Sequence, residues 1–348
     1  MKKEVIMINN SLSTSINHNS MPQGTPSPQM SMPGEVSGVK TEPMLSVREL
    51  SVSFIQYARG LKQQLLEVIN GLSIELYPGE VVAVVGSSGS GKSLLAHAVL
   101  GILPGNAIVS GDMQFGGEIL TSKRQSTLRG TEIAFVPQSV NYLDPLMKVG
   151  AQVKAAVKQG SKREVQQKIF KRYHLDKNVE NLYPFQLSGG MARRILVAGA
   201  LVGNARLVIA DEPTPGLHPA VVKETLHHLR ELSNEGRAVM LITHDIKAAL
   251  EYADRIAVFY AGTTLETAKV ADFSGDGSDL RHPYSKALWK ALPQNDFVSL
   301  PGFQPASGEL PQGCLFAPRC HMFKDLCKEK RPKERSLRGG KVRCHYAT

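Results

Sequence analysis

Eight consecutive residues carry the strongest chemical signal in the chain. Gly86, Ser87, Ser88, Gly89, Ser90, Gly91, Lys92 and Ser93 spell G-x-x-x-x-G-K-S. Glycines let successive backbone N–H groups turn toward phosphate oxygens, and a helix starting there adds the positive end of its dipole. Lys92 can then reach the β- and γ-phosphates, and Ser93 offers a hydroxyl to Mg²⁺. A second signal lies at Leu207-Val208-Ile209-Ala210, which runs into Asp211-Glu212. An acid at the end of a buried strand can hold Mg²⁺, directly or through water. A second carboxylate beside it can polarise an attacking water as a general base. Many strands end in acids, so this pair gains its force from the phosphate loop upstream.

Such groups need rigid elements behind them. Val81-Val82-Ala83-Val84-Val85 is short, apolar and β-branched, as a buried strand should be, and Leu94 to Leu100 suits a helix. Strand, loop and helix in that order are the context the motif requires. Leu45 to Phe54 alternates with a partial period of two and predicts a strand. A further strand is expected from Leu66 to Leu76, closed by the turn Pro78-Gly79. Ile108 to Leu120 reads as short strand material broken by Gly111 and by Gly116-Gly117. Ile133 to Val136 predicts another buried strand. From about residue 145 to 205 the composition predicts helices, and Val221 to Leu232 predicts one more. Ala238 to Ile242 is a core strand that ends at Thr243-His244. Strands alternating with helices imply an α/β fold with a largely parallel sheet and a helical insertion. Reactive residues at the carboxyl ends of the strands fit the general rule for such sheets.

The 348 residues are long for one domain and comfortable for two. Apolar residues at 42% and charged residues at 21% describe an ordinary globular composition. No run approaches the ~20 apolar residues of a spanning helix, and the amino terminus lacks a secretory apolar stretch. The chain is therefore expected in the cytosol, meeting a membrane only through partners. The formal net charge is +10, and between Arg319 and Arg343 ten Lys and Arg face three Asp and Glu. These charges are not interleaved with aromatics, so no nucleic-acid partner is expected. All four cysteines, Cys314, Cys320, Cys327 and Cys344, fall in the last 35 residues. Thiols in a reducing cytosol stay unpaired, and four clustered ones read as ligands of a single metal centre.

Leu187-Ser188-Gly189-Gly190-Met191 narrows the reading. The chain here resembles the ATP-binding cassette (ABC) family, whose signature is LSGGQ or a near variant, with Met191 in place of the glutamine. The resemblance implies a P-loop NTPase core with an antiparallel β subdomain and a helical subdomain. It implies that the signature contacts the γ-phosphate of ATP held by an opposing subunit. Phe54 matches the aromatic that stacks on adenine. Gln138, after Phe135-Val136-Pro137, matches the glutamine that senses Mg²⁺ and couples to membrane domains. With Ser93 and Asp211 it would form the Mg²⁺ environment. Glu212 matches the general base, and His244 matches the histidine that contacts the γ-phosphate. One segment departs from the family pattern: Gly216-Leu217-His218 places a histidine where the D-loop carries aspartate, which puts the geometry of one composite site in doubt.

The carboxyl-terminal part narrows the family further. His282-Pro283-Tyr284-Ser285-Lys286-Ala287-Leu288 resembles a segment of oligopeptide, dipeptide and nickel importer ATPases. Gly313-Cys314-Leu315-Phe316-Ala317-Pro318-Arg319-Cys320, then Cys327 and Cys344, resembles the cysteine module of that group. In related transporters such cysteines hold a [4Fe–4S] cluster; zinc and free thiols stay open as alternatives. The expected organisation is a disordered leader (1–43), an ABC nucleotide-binding domain (44–265, helical subdomain about 139–205) and a four-cysteine extension (266–348). The expected function is ATP hydrolysis powering import of peptides, nickel or a metal chelate from the cytoplasmic face of a bacterial inner membrane. A second ATPase subunit, two permease subunits and an extracytoplasmic binding protein are the implied partners. A low-hydrolysis regulatory subunit and a soluble non-transport ABC ATPase are the rival readings.

Overall fold

The structure is a computed structural model that describes residues 42–57 and 63–348. All but the last two residues of the expected leader lie outside the described residues.

Strands β1 (Leu45–Tyr57) and β2 (Gln63–Leu76) pair antiparallel. They precede β3 (Val81–Gly86), whose end feeds the glycine-rich loop and helix α1 (Lys92–Leu100). Next come β4 (Ala107–Phe115) and the short β5 (Glu118–Ile119). These complete an antiparallel sheet in the order β2-β1-β4-β5. Gly111 does not break β4 as expected. It takes a positive φ of 100°, and a side chain there would lie 2.5 Å from the Glu49 carbonyl. The β1–β4 register shifts between Arg48 and Ser51, so this glycine forms a bulge within a continuous strand. Gly116-Gly117 does end β4, at the turn into β5.

After helix α2 (Ser122–Leu128) comes β6 (Ile133–Val136). Helices α3 (Val149–Ala156), α4 (Lys162–Arg172) and α5 (Gly189–Leu201) fill the stretch expected to be helical. The chain then alternates through β7 (Leu207–Asp211), α6 (Pro219–Asn234), β8 (Ala238–Ile242), α7 (Ile246–Tyr252) and β9 (Arg255–Tyr260). Strands β6, β7, β8, β3 and β9 pair in parallel. A hairpin then adds β10 (Thr263–Lys269) antiparallel to β9.

Strand β3 is apolar on both faces because two cores meet on it. Val82 and Val84 pack with Leu95 and Val99 of α1 and with the antiparallel sheet. Ala83 and Val85 face the other way, into a core shared with Tyr284, Cys314 and Phe316. Successive side chains of a strand point to opposite faces, so one short apolar run anchors both layers.

That second core shows how the carboxyl-terminal extension is joined. Helices α8 (Pro283–Lys290) and α9 (Asp325–Glu329) precede a hairpin of β11 (Arg335–Leu337) and β12 (Gly340–Val342). Strand β12 pairs with β10, giving the eight-stranded order β11-β12-β10-β9-β3-β8-β7-β6. The extension therefore contributes strands to the main sheet. The expected boundary at residue 265 falls inside β10. Buried Arg281 is the tie: it bonds Glu266 at 3.3 Å, Asp272 at 2.8 Å and the Leu337 carbonyl at 2.6 Å.

Candidate nucleotide site

The glycine-rich loop turns sharply where β3 ends against β9. A side chain on Gly86 would lie 2.3 Å from the Phe259 carbonyl oxygen, so only glycine permits this approach. Gly91, with φ 93°, caps α1 without a side-chain bond, leaving the first N–H groups of the helix open. Lys92 folds back over the loop, its Nζ donating to the Gly86 carbonyl at 2.9 Å and the Ser87 carbonyl at 3.0 Å. Burial lowers its pKa, while Glu212 and Asp211 oppose the shift. The ammonium is thus held in place by loop carbonyls, with two carboxylate charges favouring its protonated form.

Asp211 and Glu212 end β7 as the apolar run predicts. Burial raises the Asp211 pKa; the Ser93 hydroxyl opposes this by hydrogen bonding, and the Glu212 charge adds to it. Its Oδ1 is buried without a hydrogen-bond partner. A partnerless carboxylate oxygen beside a serine hydroxyl is a hard oxygen pair that suits Mg²⁺. The Ser90 hydroxyl is likewise buried and unpartnered.

Glu212 has φ 47°, a left-handed conformation that a non-glycine residue holds only where its surroundings dictate it. Its N–H donates to the Ile242 carbonyl at 2.9 Å. The buried carboxylate meets His244 Nδ1 at 2.8 Å across the mouth of the site. The His244 side chain is 71% exposed. A cavity of about 380 Å³ joins Ser88 to Leu94, Gln138, Glu212 and His244. Val68 also lines it, which no motif indicated.

Other predicted residues lie elsewhere. Phe54 is half-buried against the antiparallel-sheet core and does not line this cavity. Tyr57, three positions further along β1, is 67% exposed. Leu187 packs against the helical core, while Ser188 and Gly189 are exposed and outside the cavity. The Ser188 hydroxyl caps α5 by accepting from the Met191 N–H at 3.3 Å. Gly190 approaches the Gly216 carbonyl, so the signature and the Gly216-Leu217-His218 turn sit side by side. His218 caps α6 with Nδ1, accepting from the Ala220 N–H at 3.4 Å. Arg193 of α5 donates to the Pro137 carbonyl at 3.0 Å, linking the signature helix to the residue before Gln138.

Cys314, Cys327 and Cys344 are buried and Cys320 is half-buried, all as free thiols. Burial pushes the Cys314 thiol up to about 11 and raises Cys320 and Cys344, and each neighbouring thiolate would raise the others further. Neutral thiols in an apolar core are poor metal ligands. Among the described residues no group of three or more His, Cys, Asp or Glu is arranged to hold a metal ion. The expected four-thiol centre, iron–sulfur or zinc, is not assembled as these side chains stand.

A glycine-rich loop between strand and helix, an acidic pair at the end of β7 (separated from β3 by β8) and a histidine facing its second carboxylate define an ABC-type ATPase. The comparisons agree. The family described as ABC transporter matches residues 69–215, and the oligopeptide/dipeptide transporter C-terminal region matches residues 265–327. The dipeptide transport ATP-binding protein DppD of Escherichia coli K12 is 34% identical over 328 residues, covering 87% of this chain and 96% of DppD. The oligopeptide transport ATP-binding protein OppD of Salmonella typhimurium LT2 is 34% identical over 309 residues, covering 84% and 90%. The ATP-binding cassette MJ0796, solved as a dimer with ADP and Pi, superposes with a TM-score of 0.57 at 25% identity, over 65% of this chain and 99% of that one. The chain belongs to the ATP-hydrolysing subunits of ABC transporters, in the oligopeptide/dipeptide group. Such subunits work with membrane permeases, and among the described residues no helix is long and apolar enough to cross a membrane.

Proposed function

We propose that this subunit powers import of peptides across a bacterial inner membrane from its cytoplasmic face, as one half of an ATPase pair. The observation that carries the chemical part is the Glu212–His244 contact of 2.8 Å at the rim of the Lys92 cavity. Glu212 takes a proton from water as the water oxygen attacks the γ-phosphorus of ATP. The bond to the β–γ bridging oxygen breaks, and ADP departs with that electron pair. Lys92 and the loop N–H groups stabilise the negative charge that develops on the phosphates. Mg²⁺, held by Ser93 and Asp211 with Gln138 nearby, would neutralise part of that charge. His244 orients the Glu212 carboxylate. The intact acid–histidine pair favours a hydrolysing subunit over the regulatory alternative.

Two subunits would close head to tail. Ser188 and Gly189 are exposed and remote from their own cavity, which supports a signature that completes a partner's site. His218 offers an imidazole nitrogen where an aspartate is usual, which favours a non-identical partner subunit. For the adenine, the exposed ring of Tyr57 is better placed to stack than Phe54, which the core already uses. The names of the relatives point to peptides as cargo; an extracytoplasmic binding protein would deliver them. Proteoliposomes holding the whole transporter should take up labelled di- or oligopeptides only when ATP reaches this subunit; ATP turnover without peptide uptake would reject the cargo.

The four thiols support a further reading by number, and Cys314, Cys320 and Cys327 share one apolar core. A [4Fe–4S] cluster there would require Cys314, Cys320, Cys327 and Cys344 to deprotonate and converge. Iron content and visible absorption of anaerobically purified protein test it, and well-folded protein free of iron rejects it.

A further inference from the structure

The phosphate loop is gripped from outside by the carboxyl-terminal extension. Gln304, in the segment that follows α8, reaches back across 217 positions of sequence to Ser87. The Ser87 hydroxyl donates to Gln304 Oε1 at 2.5 Å. The Ala261 N–H, in the β9–β10 turn, donates to the same oxygen at 3.1 Å. A backbone N–H can only donate, so the amide face turned to it must be the oxygen, which has two lone pairs for two donors. Ser87 is therefore held at both ends. Its hydroxyl is tied to Gln304, and its carbonyl accepts from Lys92 Nζ at 3.0 Å.

Further contacts seat the same extension on the same turn. Arg319 donates from Nη1 to the Tyr260 hydroxyl at 3.4 Å, one residue before Ala261. Tyr260, Tyr284 and Phe316 pack ring against ring, with centroids 4.7 to 5.4 Å apart. Tyr284 is buried, and burial raises its pKa. The aromatic cluster shares its core with Val85, the last apolar residue before the loop.

We infer that Gln304 is a positioning residue for ATP binding: through Ser87 it fixes the start of the phosphate loop and the carbonyl that seats Lys92, so the extension completes the nucleotide site. This rests on the reading of Gly86 to Ser93 as that site. The role is to set the loop before nucleotide arrives, so it acts on affinity and leaves the chemical step alone.

A double-mutant cycle on the full-length subunit, assembled with its transporter partners, tests it. Gln304→Ala and Ser87→Ala should each raise the KM for ATP about fivefold, the usual effect of one lost hydrogen bond. For Gln304→Ala the kcat should stay within about twofold, because the contact is equal in ground and transition states. The double variant should fall well short of the product of the two singles, because both remove the Ser87–Gln304 bond, although Gln304→Ala also frees the Ala261 N–H. A Gln304→Ala enzyme with KM within about twofold of the parent, effects that multiply, or a fall in kcat with KM unmoved would each overturn the inference. Lys92→Ala is the reference. If it too leaves ATP affinity intact, the loop reading itself falls; if it weakens ATP while Gln304→Ala does not, only the present inference falls.

Discussion

The nucleotide end and the carboxyl-terminal extension position their side chains by opposite means. At the nucleotide end, a few local elements do the work: one strand, one loop, one helix start and two strand ends. The polar atoms there are partly unsatisfied, as with Asp211 Oδ1 and Ser90 Oγ, and Glu212 sits in a strained backbone conformation. In the extension, long-range ties dominate, and the buried atoms left without partners there, His282 Nε2, Ser285 Oγ and Arg343 Nε, line no nucleotide cavity. Arg281 joins Glu266, Asp272 and the β11 hairpin, Lys341 bonds Glu75 at 2.7 Å, and Arg343 bonds Glu49 at 2.7 Å. A strained acid that opens onto a cavity beside a partnerless carboxylate oxygen marks a site prepared for a ligand, whereas ion pairs that tie distant segments together mark a scaffold. Function and stability should therefore separate between the two regions.

The sharpest contrast comes from one variant in each. Glu212→Gln should retain ATP binding yet lose turnover by roughly 10²–10⁴, the range for a general base, with little change in melting temperature. Turnover near the parent level would remove Glu212 from its role and erase the contrast. Arg281→Ala should do the reverse. It leaves the buried Glu266 carboxylate with the backbone N–H groups of residues 281 and 282 but no cation, so unfolding in denaturant should show a loss of about 3 kcal/mol. ATP affinity of the surviving folded fraction should fall far less. A parent-like denaturation midpoint would show that the extension is not fastened this way.

Acid provides a subtler comparison. Burial holds His282 down to about 3, and burial with the nearby Arg172 charge holds His228 down to about 4, against an ordinary value of 6.5. Below pH 6.5 the unfolded chain takes up protons that the folded chain refuses. Stability is therefore full above pH 6.5, falls as pH drops through the window, and stops falling from this source below about 3. Each histidine contributes up to about 1.4 kcal/mol per pH unit. His282→Asn keeps an acceptor for the Tyr284 N–H and removes the titration, so its melting temperature should decline less steeply between pH 6.5 and 4.5. An unchanged slope would show that His282 is not the buried neutral group described. The smallest effects should separate two aromatics of β1: Phe54→Ala should lower stability more than ATP affinity, and Tyr57→Ala the reverse, as nucleotide titration alongside thermal melting would show.

The same contrast explains what was legible in the sequence. The phosphate loop, the Asp211-Glu212 strand end and the Ile242-Thr243-His244 strand end are local patterns, and the strands that carry them lie where apolar periodicity placed them. Gly111 was misread because one glycine in a strand can break or bulge it, and only the close approach of Glu49 selects the bulge. Phe54 was assigned by order along the chain, but its contacts depend on how β1 lies against the core. Strands β11 and β12 were invisible: each has three residues, too few for alternation to register, and β12 joins the main sheet through β10, far upstream in sequence. Gln304 carried no motif at all. Its importance exists only after folding, when a glutamine oxygen arrives between Ser87 and Ala261.

The most direct test of the whole account is a structure of the assembled transporter carrying Glu212→Gln, prepared with ATP and Mg²⁺. The account predicts an intact nucleotide with its phosphates over Gly86 to Ser93, and Ser188 of this chain facing the γ-phosphate in the companion ATPase. A glycine-rich loop without nucleotide, or a bound ATP untouched by either signature segment, would contradict it.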